Sequence, residues 1–502
     1  MQSYFMERDG YKPQYLPLKK NFFNCLPFYT FSHYYLLLLR ANYETIIYYS
    51  MANVIKLRRG LDINLEGKPA EEFFSVREPG FYSLVPDDFT GVTPKVVVKE
   101  QEYVKAGQPL FVNKNFPEVK FVSPVSGTVV KVERGERRKL LNIIVEASTE
   151  QEYLEFPKQN ISEISQEELK TTLMESGLFA FIKQRPYDII AEPNVTPKAI
   201  FVSAFDSKPL APDFEFILKG EEQNFQTGLN VLAKLAPTYL NISAKQKNNA
   251  LRQAKNVTLN VFDGPHPAGN VGVQINHLSP INKGETIWTV GAADVIFIGR
   301  FFNTGHIDFS RKVALTGSEV FKAAYTKLKV GARLTNVFSG CVNTDTDLRY
   351  ISGNVLTGKR VDKDGYLGAF DTQLTVIPEG DDIHEFVGFV MPRFDQFSVS
   401  HSYANWILDK FFKREYRLDA RIKGGKRHMI MSHEYDRVLP MDIMPEYLIK
   451  AIITEDIDRM EQLGIYEVAP EDFALCEFVC SSKQELQKIV RVGLDKLRAE
   501  MA

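Results

Sequence analysis

"NFQTGLNVLAKLAPTYLNIS", residues 224–243, runs a helix signal directly into a strand signal. The same alternation extends to both sides. "KAIFVSAF" (198–205) reads as a strand ahead of it, "KQKNNALRQA" (245–254) as a helix behind it, and "VTLNVF" (257–262) as the next strand. Strand, helix, strand, helix predicts a parallel α/β sheet. Its first helix opens at Ser165 with Glu168 three residues on, a capping box in which each side chain satisfies the other's orphan amide.

Working outward, the chain predicts an α/β multidomain protein. Residues 149–164 are polar and lack apolar periodicity, as a linker does. Residues 51–148 hold short β-rich runs such as "KVVVKE", "PLFVN" and "TVVKVE", punctuated by Gly, Pro and Asn at roughly 8–12-residue spacing, which predicts a small barrel or sandwich. Within it "VKAGQPLF" and "SPVSGTVVKVERG" resemble the paired half-motifs of biotinyl and lipoyl carriers, a barrel-sandwich hybrid. Lys114 stands near the place of the modified lysine. Neither Met-Lys-Met nor Asp-Lys-Ala surrounds it, so a structural barrel-sandwich is expected. Beyond the Rossmann-like α/β domain (165–307), residues 308–360 predict a β-grasp unit of the SLBB kind, and 361–502 a β segment followed by helices. The last helix carries Leu486, Ile489, Val490, Leu494 and Leu497 on one face, with Ser482 and Glu485 placed for a second capping box.

Residues 1–50 read differently from everything after them. Globular patterning begins at Met51, and the first fifty residues are expected to be a non-native or disordered extension. Their apolar run, 21–40, is broken by Asn24, Pro27, Ser32 and His33 before it reaches the ~20 clean apolar residues of a membrane span. No cleavage site of the A-x-A kind follows Lys19, Lys20 and that run.

A length of 502 residues implies about three or four domains. The formal net charge of -2 gives no support to a nucleic-acid partner. Four cysteines, Cys25, Cys341, Cys476 and Cys480, are too few and too scattered for a disulfide framework and fit a reducing compartment such as the cytoplasm.

The loop "GPHPAG" (264–269) tests the nucleotide motifs. Gly264 and Gly269 frame G-x-x-x-x-G, but Asn270 stands where a Walker A loop needs Lys, and the dinucleotide G-x-G-x-x-G is missing too. Two prolines remove amide donors and make the loop a rigid corner. His433 and Glu434 begin an H-E pair, yet Arg437 replaces the second histidine of H-E-x-x-H. Cys476 and Cys480 cannot hold a four-iron cluster alone. Nor is there a G-x-S-x-G elbow.

Several long strings in order, "GPHPAGNVGVQINHLSPI", "GRFFNTGHIDFSRKVALTG", "ISGNVLTGKR", "GYLGAFDTQLTVIPEGD" and "EDFALCEFVCSSKQEL", resemble the A subunit of the bacterial sodium-translocating NADH:quinone reductase. The resemblance runs from about Met51 to the C-terminus. It implies a peripheral subunit on the cytoplasmic face of the inner membrane, within a complex that passes electrons from NADH to ubiquinone while exporting sodium. Flavins, the iron–sulfur centre and the NADH site are then expected in partner subunits, and none in this one; the membrane-embedded B subunit is the expected neighbour.

The domain order also resembles the flavin-bearing subunit of complex I and the Rnf C subunit, and there the departures matter. Where those relatives carry a glycine-rich loop this chain reads "ESGLFAFIKQRPYDII", with Gly177 alone. Phe179, Phe181 and Ile182 are expected to obstruct a flavin phosphate, and "SAFDSKPLAPD" replaces an acidic stretch. Cys476 and Cys480 read as a remnant of a cluster site. Competing readings are an independent flavin-dependent NADH dehydrogenase and a carrier-like module modified on Lys114. No catalytic or metal residue is expected. For a quinone or a subunit contact the candidates are His266, Gly264 and Gly269 in the loop, Phe262 before it, and His306 with Phe301 and Phe302. His266→Ala is expected to leave folding intact.

Overall fold

The computed structural model describes residues 53–381, 394, 396–399, 403, 405–409, 411–412 and 414–501; the apolar run at 21–40 and Cys25 lie outside them. The body Asn53–Ala502 is built on four sheets.

The α/β sheet has seven strands: β1 (Asn53–Lys56), β2 (Ile182–Arg185), β3 (Ile189–Ile190), β4 (Ala199–Ser203), β5 (Thr238–Ser243), β6 (Thr258–Asp263) and β7 (Ile287–Gly291). Their spatial order is β1-β6-β5-β4-β7-β2-β3. The first five are mutually parallel, and β2 and β3 close the sheet antiparallel. β1 corrects the domain boundary expected at 51: the first strand pairs Asn53–Lys56 with Asn260–Asp263 and belongs to this sheet. Alternation marks a strand but not its partner, so sequence placed it with the barrel that follows.

Four helices of eight residues or more accompany the sheet, α1 (Gln166–Glu175), α2 (Glu222–Leu235), α3 (Val271–Leu278) and α4 (Ala292–Thr304), while the helix expected at 245–254 shrinks to one turn, Asn249–Arg252. The capping box of α1 forms as the sequence predicts, with the Glu168 amide donating to Ser165 Oγ at 3.2 Å and the Ser165 amide to Glu168 Oε2 at 3.0 Å. α2 buries Phe225, Leu229, Leu232 and Leu235. It lies backbone to backbone on α4, because Gly228 faces the Val295 carbonyl and Gly299 faces that of Asn224, where any Cβ would collide.

Ahead of β2, a four-stranded and a three-stranded antiparallel sheet form the barrel-sandwich. The β-grasp sheet runs, in space, Ala324–Lys329, Ser310–Thr316, Gln373–Pro378, Leu348–Ser352, Lys359–Val361. Gln373–Pro378 is its central strand, so the unit extends past the expected end at 360. Its six residues are all buried, since the strand is covered on both faces.

In the C-terminal region, α5 (Pro445–Ile453) packs on α6 (Leu486–Met501). Leu486, Val490, Leu494 and Leu497 are buried in the same cluster as Phe201, Val273 and Ile287 of the α/β domain, with Ile489 partly buried against it. The second capping box does not form: Ser482 Oγ donates to the His428 carbonyl at 3.0 Å, and Glu485 pairs with Lys426 at 2.9 Å. The loop entering the helix finds tertiary partners that outcompete the local pair. Among the described residues no helix is long and apolar enough to cross a membrane.

Candidate functional site

The sheet order places a crevice. From β4 the chain runs outward through β5 and β6, then returns to the other side of β4 with β7. Beyond the carboxyl ends of β4 and β7 the connections therefore diverge, and in open α/β sheets this is where ligands enter. A cavity of about 490 Å³ opens there, bounded by Ser203–Asp206 after β4, Gly291–Asp294 at the start of α4, Phe181 and Lys183 beside them, Phe370 and Asp371 of the β-grasp unit, and Glu471 of the C-terminal region. With Asp87, Asp88 and Thr90 of the barrel-sandwich, four domains thus contribute walls. The volume is that of ordinary small-molecule sites.

Its charges are mostly tied down. Arg185 Nη1 meets Asp472 Oδ2 at 2.6 Å, with side chains 2% and 0% exposed. Lys208 bridges Asp206 at 3.3 Å and Glu471 at 2.8 Å. Burial works against a charged Glu471, but Lys208, with Arg185 and Lys183 behind it, holds its carboxyl down at about 2. Asp294 accepts from Arg311 Nη2 at 2.9 Å; burial nevertheless lifts its carboxyl to about 6, with Arg311 and Lys183 opposing. Lys359 pairs with Asp88 at 2.5 Å. Lys183 differs: its Nζ stands 4.3 Å from the centre of the Phe370 ring, and among the described residues no carboxylate is paired with it. Phe181, Phe205, Phe214 and Phe370 supply apolar wall. One available cation beside flat rings and the first amides of α4 suits a planar ligand with hydrogen-bond-accepting oxygens.

The obstruction expected from "GLFAFI" takes a different form. Gly177, at φ +77°, faces Val122 of the barrel. Phe179 turns into the core edge-on to Trp288, and Ile182 is fully buried. Only Phe181 borders the cavity, which stays open. The rings narrow the crevice and leave it unfilled.

The residues singled out from sequence do not converge. Gly269 alone borders the cavity. His266 is 2% exposed and is part of the scaffold: its amide donates to Asp62 Oδ1 at 2.8 Å, and its Nδ1 lies 3.0 Å from Ser207 Oγ, which also accepts the Gly269 amide at 2.8 Å. Burial holds this imidazole down at about 4, so it is neutral, and Nε2 has no hydrogen-bond partner among the described residues. Gly264 packs on Leu57 and Gly269 on Ser207, each where a Cβ would clash, and neither has a positive φ. The corner exists for close approach.

Phe262 is buried in β6. Phe301 and Phe302 lie in the last turn of α4, about 14–15 Å along the helix from the end that borders the cavity, and His306 follows just past it. There Phe301 meets Phe156 edge-on and His306 faces Tyr153. Lys114 is exposed. Cys476 and Cys480 are buried, and burial pushes the Cys476 thiol up, while Cys480 Sγ contacts Tyr435 Oη at 3.0 Å. Among the described residues no group of His, Cys, Asp and Glu is placed to hold a metal ion.

Of the residues that line the cavity, Gly269 alone was among the sequence candidates. Lys183, Arg185, Asp206 and Lys208 stood inside stretches notable only for what they lack, and Glu471, next to the Asp472 that pairs with Arg185, inside one notable for likeness. The available signal was positional: charged residues directly after apolar parallel strands, as in "FVSAFDSK" and "WTVGAAD".

Models of three domains match the chain: the NqrA N-terminal barrel-sandwich hybrid domain at 55–148, the NqrA second alpha/beta domain at 164–307, and the NQRA C-terminal domain, an SLBB model, at 312–363. Curated relatives match over 89% of this chain and 100% of their own length. The A subunit of Na(+)-translocating NADH-quinone reductase from Photorhabdus laumondii is 35% identical over 452 residues, that from Serratia proteamaculans 35% over 454, and that from Neisseria meningitidis serogroup B 34% over 452. A solved NAD+-reducing [NiFe]-hydrogenase aligns over 61% of this chain and 60% of its own at 11% identity and a TM-score of 0.32, too slight a likeness to assign anything.

Proposed function

The chain belongs to the A-subunit family of Na(+)-translocating NADH-quinone reductase, and from that premise we propose that its switch-point crevice takes the quinone head group. In this reading the chain is a peripheral subunit of the translocase that carries no redox group of its own. Flavins, the iron–sulfur centre and the NADH site reside in partner subunits; electrons reach ubiquinone beside the membrane-embedded B subunit, at the cytoplasmic face of the inner membrane. The chain's own contribution is binding and orientation. Phe181 and Phe370, edge-on to each other with ring centres 5.7 Å apart, give a planar ring an apolar wall, and Lys183 donates to a carbonyl oxygen, where its charge favours the electron-rich reduced form.

One observation carries the proposal: Lys183 is the cavity cation that stands on an aromatic face and not on a carboxylate. The candidates His266, His306, Phe262, Phe301 and Phe302 are accordingly replaced by Lys183, Phe181, Phe205 and Phe370. The test is a photoreactive ubiquinone analogue crosslinked to the assembled complex, followed by peptide mapping. Label is expected on peptides holding Phe181–Lys183 or Phe370. Label confined to other subunits would remove the site and leave the chain as a scaffold.

A further inference from the structure

Phe411, Phe321 and Phe412 are 76%, 72% and 63% exposed, the most open of the chain's large apolar side chains among the described residues. They are ninety residues apart in sequence and joined in the fold. Tyr416 bridges to Leu65 and donates its hydroxyl to Asp409, which fixes the turn carrying Phe411 and Phe412. The next residue, Arg417, donates from Nε to Glu319 Oε1 at 2.7 Å, two positions from Phe321. Ile407, Ile422 and Ile430 continue the exposed apolar set along the same segment. Fully burying one phenyl ring is worth about 1.5–3 kcal/mol. Three open rings held on one region therefore call for a partner.

The charge around them identifies its kind. Residues 410–428 contain eight Lys or Arg against two Asp or Glu, in a chain whose net charge is -2. At least one of these cations is lightly engaged at the surface: Lys426 pairs with Glu485, side chains 61% and 53% exposed. Exposed pairs of this sort are worth about 0–1 kcal/mol and exchange readily for another anion. In sequence the cations are spread along the segment and interleaved with Phe411, Phe412, Leu418 and Ile422. That suits a continuous layer of phosphates over an apolar interior better than one carboxylate.

We propose that this surface docks on an anionic bilayer, with Phe321, Phe411 and Phe412 entering the boundary between headgroups and acyl chains and the exposed Lys423, Lys426 and Arg427 meeting lipid phosphates. The assignment does not depend on the quinone reading.

The full chain is floated with vesicles of phosphatidylcholine alone and of phosphatidylcholine mixed with phosphatidylglycerol. It is retained on the mixed vesicles, released by salt, and retained poorly on phosphatidylcholine alone. The triple variant F321S/F411S/F412S loses at least about tenfold in partition with its melting temperature unchanged, because the rings contribute little to the core. K423E/K426E weakens binding to the mixed vesicles alone. Absence of retention on mixed vesicles overturns the proposal, as does a triple variant that partitions like the parent. Retention by isolated partner subunits with none on vesicles also overturns it, and assigns the surface to a protein contact.

Discussion

Arg185→Met is predicted to destabilise the protein through a contact that joins residues 287 positions apart. Arg185 Nη1 donates to Asp472 Oδ2 at 2.6 Å and to the Glu467 carbonyl at 3.1 Å, and both members of the ion pair are almost fully buried. Methionine keeps the apolar stem and removes the charge. Asp472 then retains one donor, the Ala469 amide at 2.9 Å, inside a wall that also contains Glu471. A buried charge left without its partner costs about 3–5 kcal/mol. Unfolding entropy near 2 cal/mol/K per residue over the ~450 residues of Asn53–Ala502 comes to about 1 kcal/mol/K, so the melting temperature drops by about 3–5 °C if this body unfolds as a unit. Fluorescence follows it locally, because buried Trp288 of β7 pairs with Gln184, the neighbour of Arg185. The double variant R185M/D472N removes both charges and keeps a capping oxygen for Ala469, so it recovers most of the loss. A single variant that melts within about 1 °C of the parent, or a double variant that loses the sum of the two singles, would refute the view that this pair holds the C-terminal region to the sheet.

Gly272→Ala acts on the same pair from the other side: its Cβ would meet both Asp472 oxygens and Arg185 Nη1, so thermal melting shows a loss that is less than additive with Arg185→Met. His266 sets an acid limit. Its folded value near 4 lies below the 6.5 of a free imidazole, so between those values the unfolded chain binds a proton that the folded chain refuses. Stability attributable to this residue is therefore full above about pH 6.5 and falls by up to ~3 kcal/mol towards pH 4. His266→Gln flattens that part of the pH–stability curve relative to the parent, and identical slopes would count against a neutral buried imidazole. Because the buried His266 ring fills core space and meets Ser207 through Nδ1, His266→Ala lowers the melting temperature, contrary to the expectation from sequence, although the backbone bond to Asp62 survives. Lys183→Ala raises the KM for quinone in the assembled complex and leaves NADH oxidation by an artificial acceptor unchanged, measured by steady-state kinetics.

The sequence alone determined the parts whose physics is local. The α1 capping box is a matter of two side chains and two amides within four residues, and it forms as read. Helical spacing told which side of α6 is buried, and alternation separated the barrel-sandwich from the α/β region. Long family strings carried the relationship itself, since they encode whole loops and not single contacts. Tertiary structure decided which distant pieces meet. β1 left the barrel for the sheet and Gln373–Pro378 became the centre of the β-grasp unit, because a strand pattern is silent about its partner. Ser482 was drawn to His428. The cavity needed residues from 181–208, 291–294, 370–371 and 471 at once, and no spacing rule links them. Histidine and phenylalanine looked functional by type, yet burial made His266, Phe262, Phe301 and Phe302 scaffold. A side chain's chemistry is set by its dielectric surroundings and its partners, and these exist only after the chain has folded.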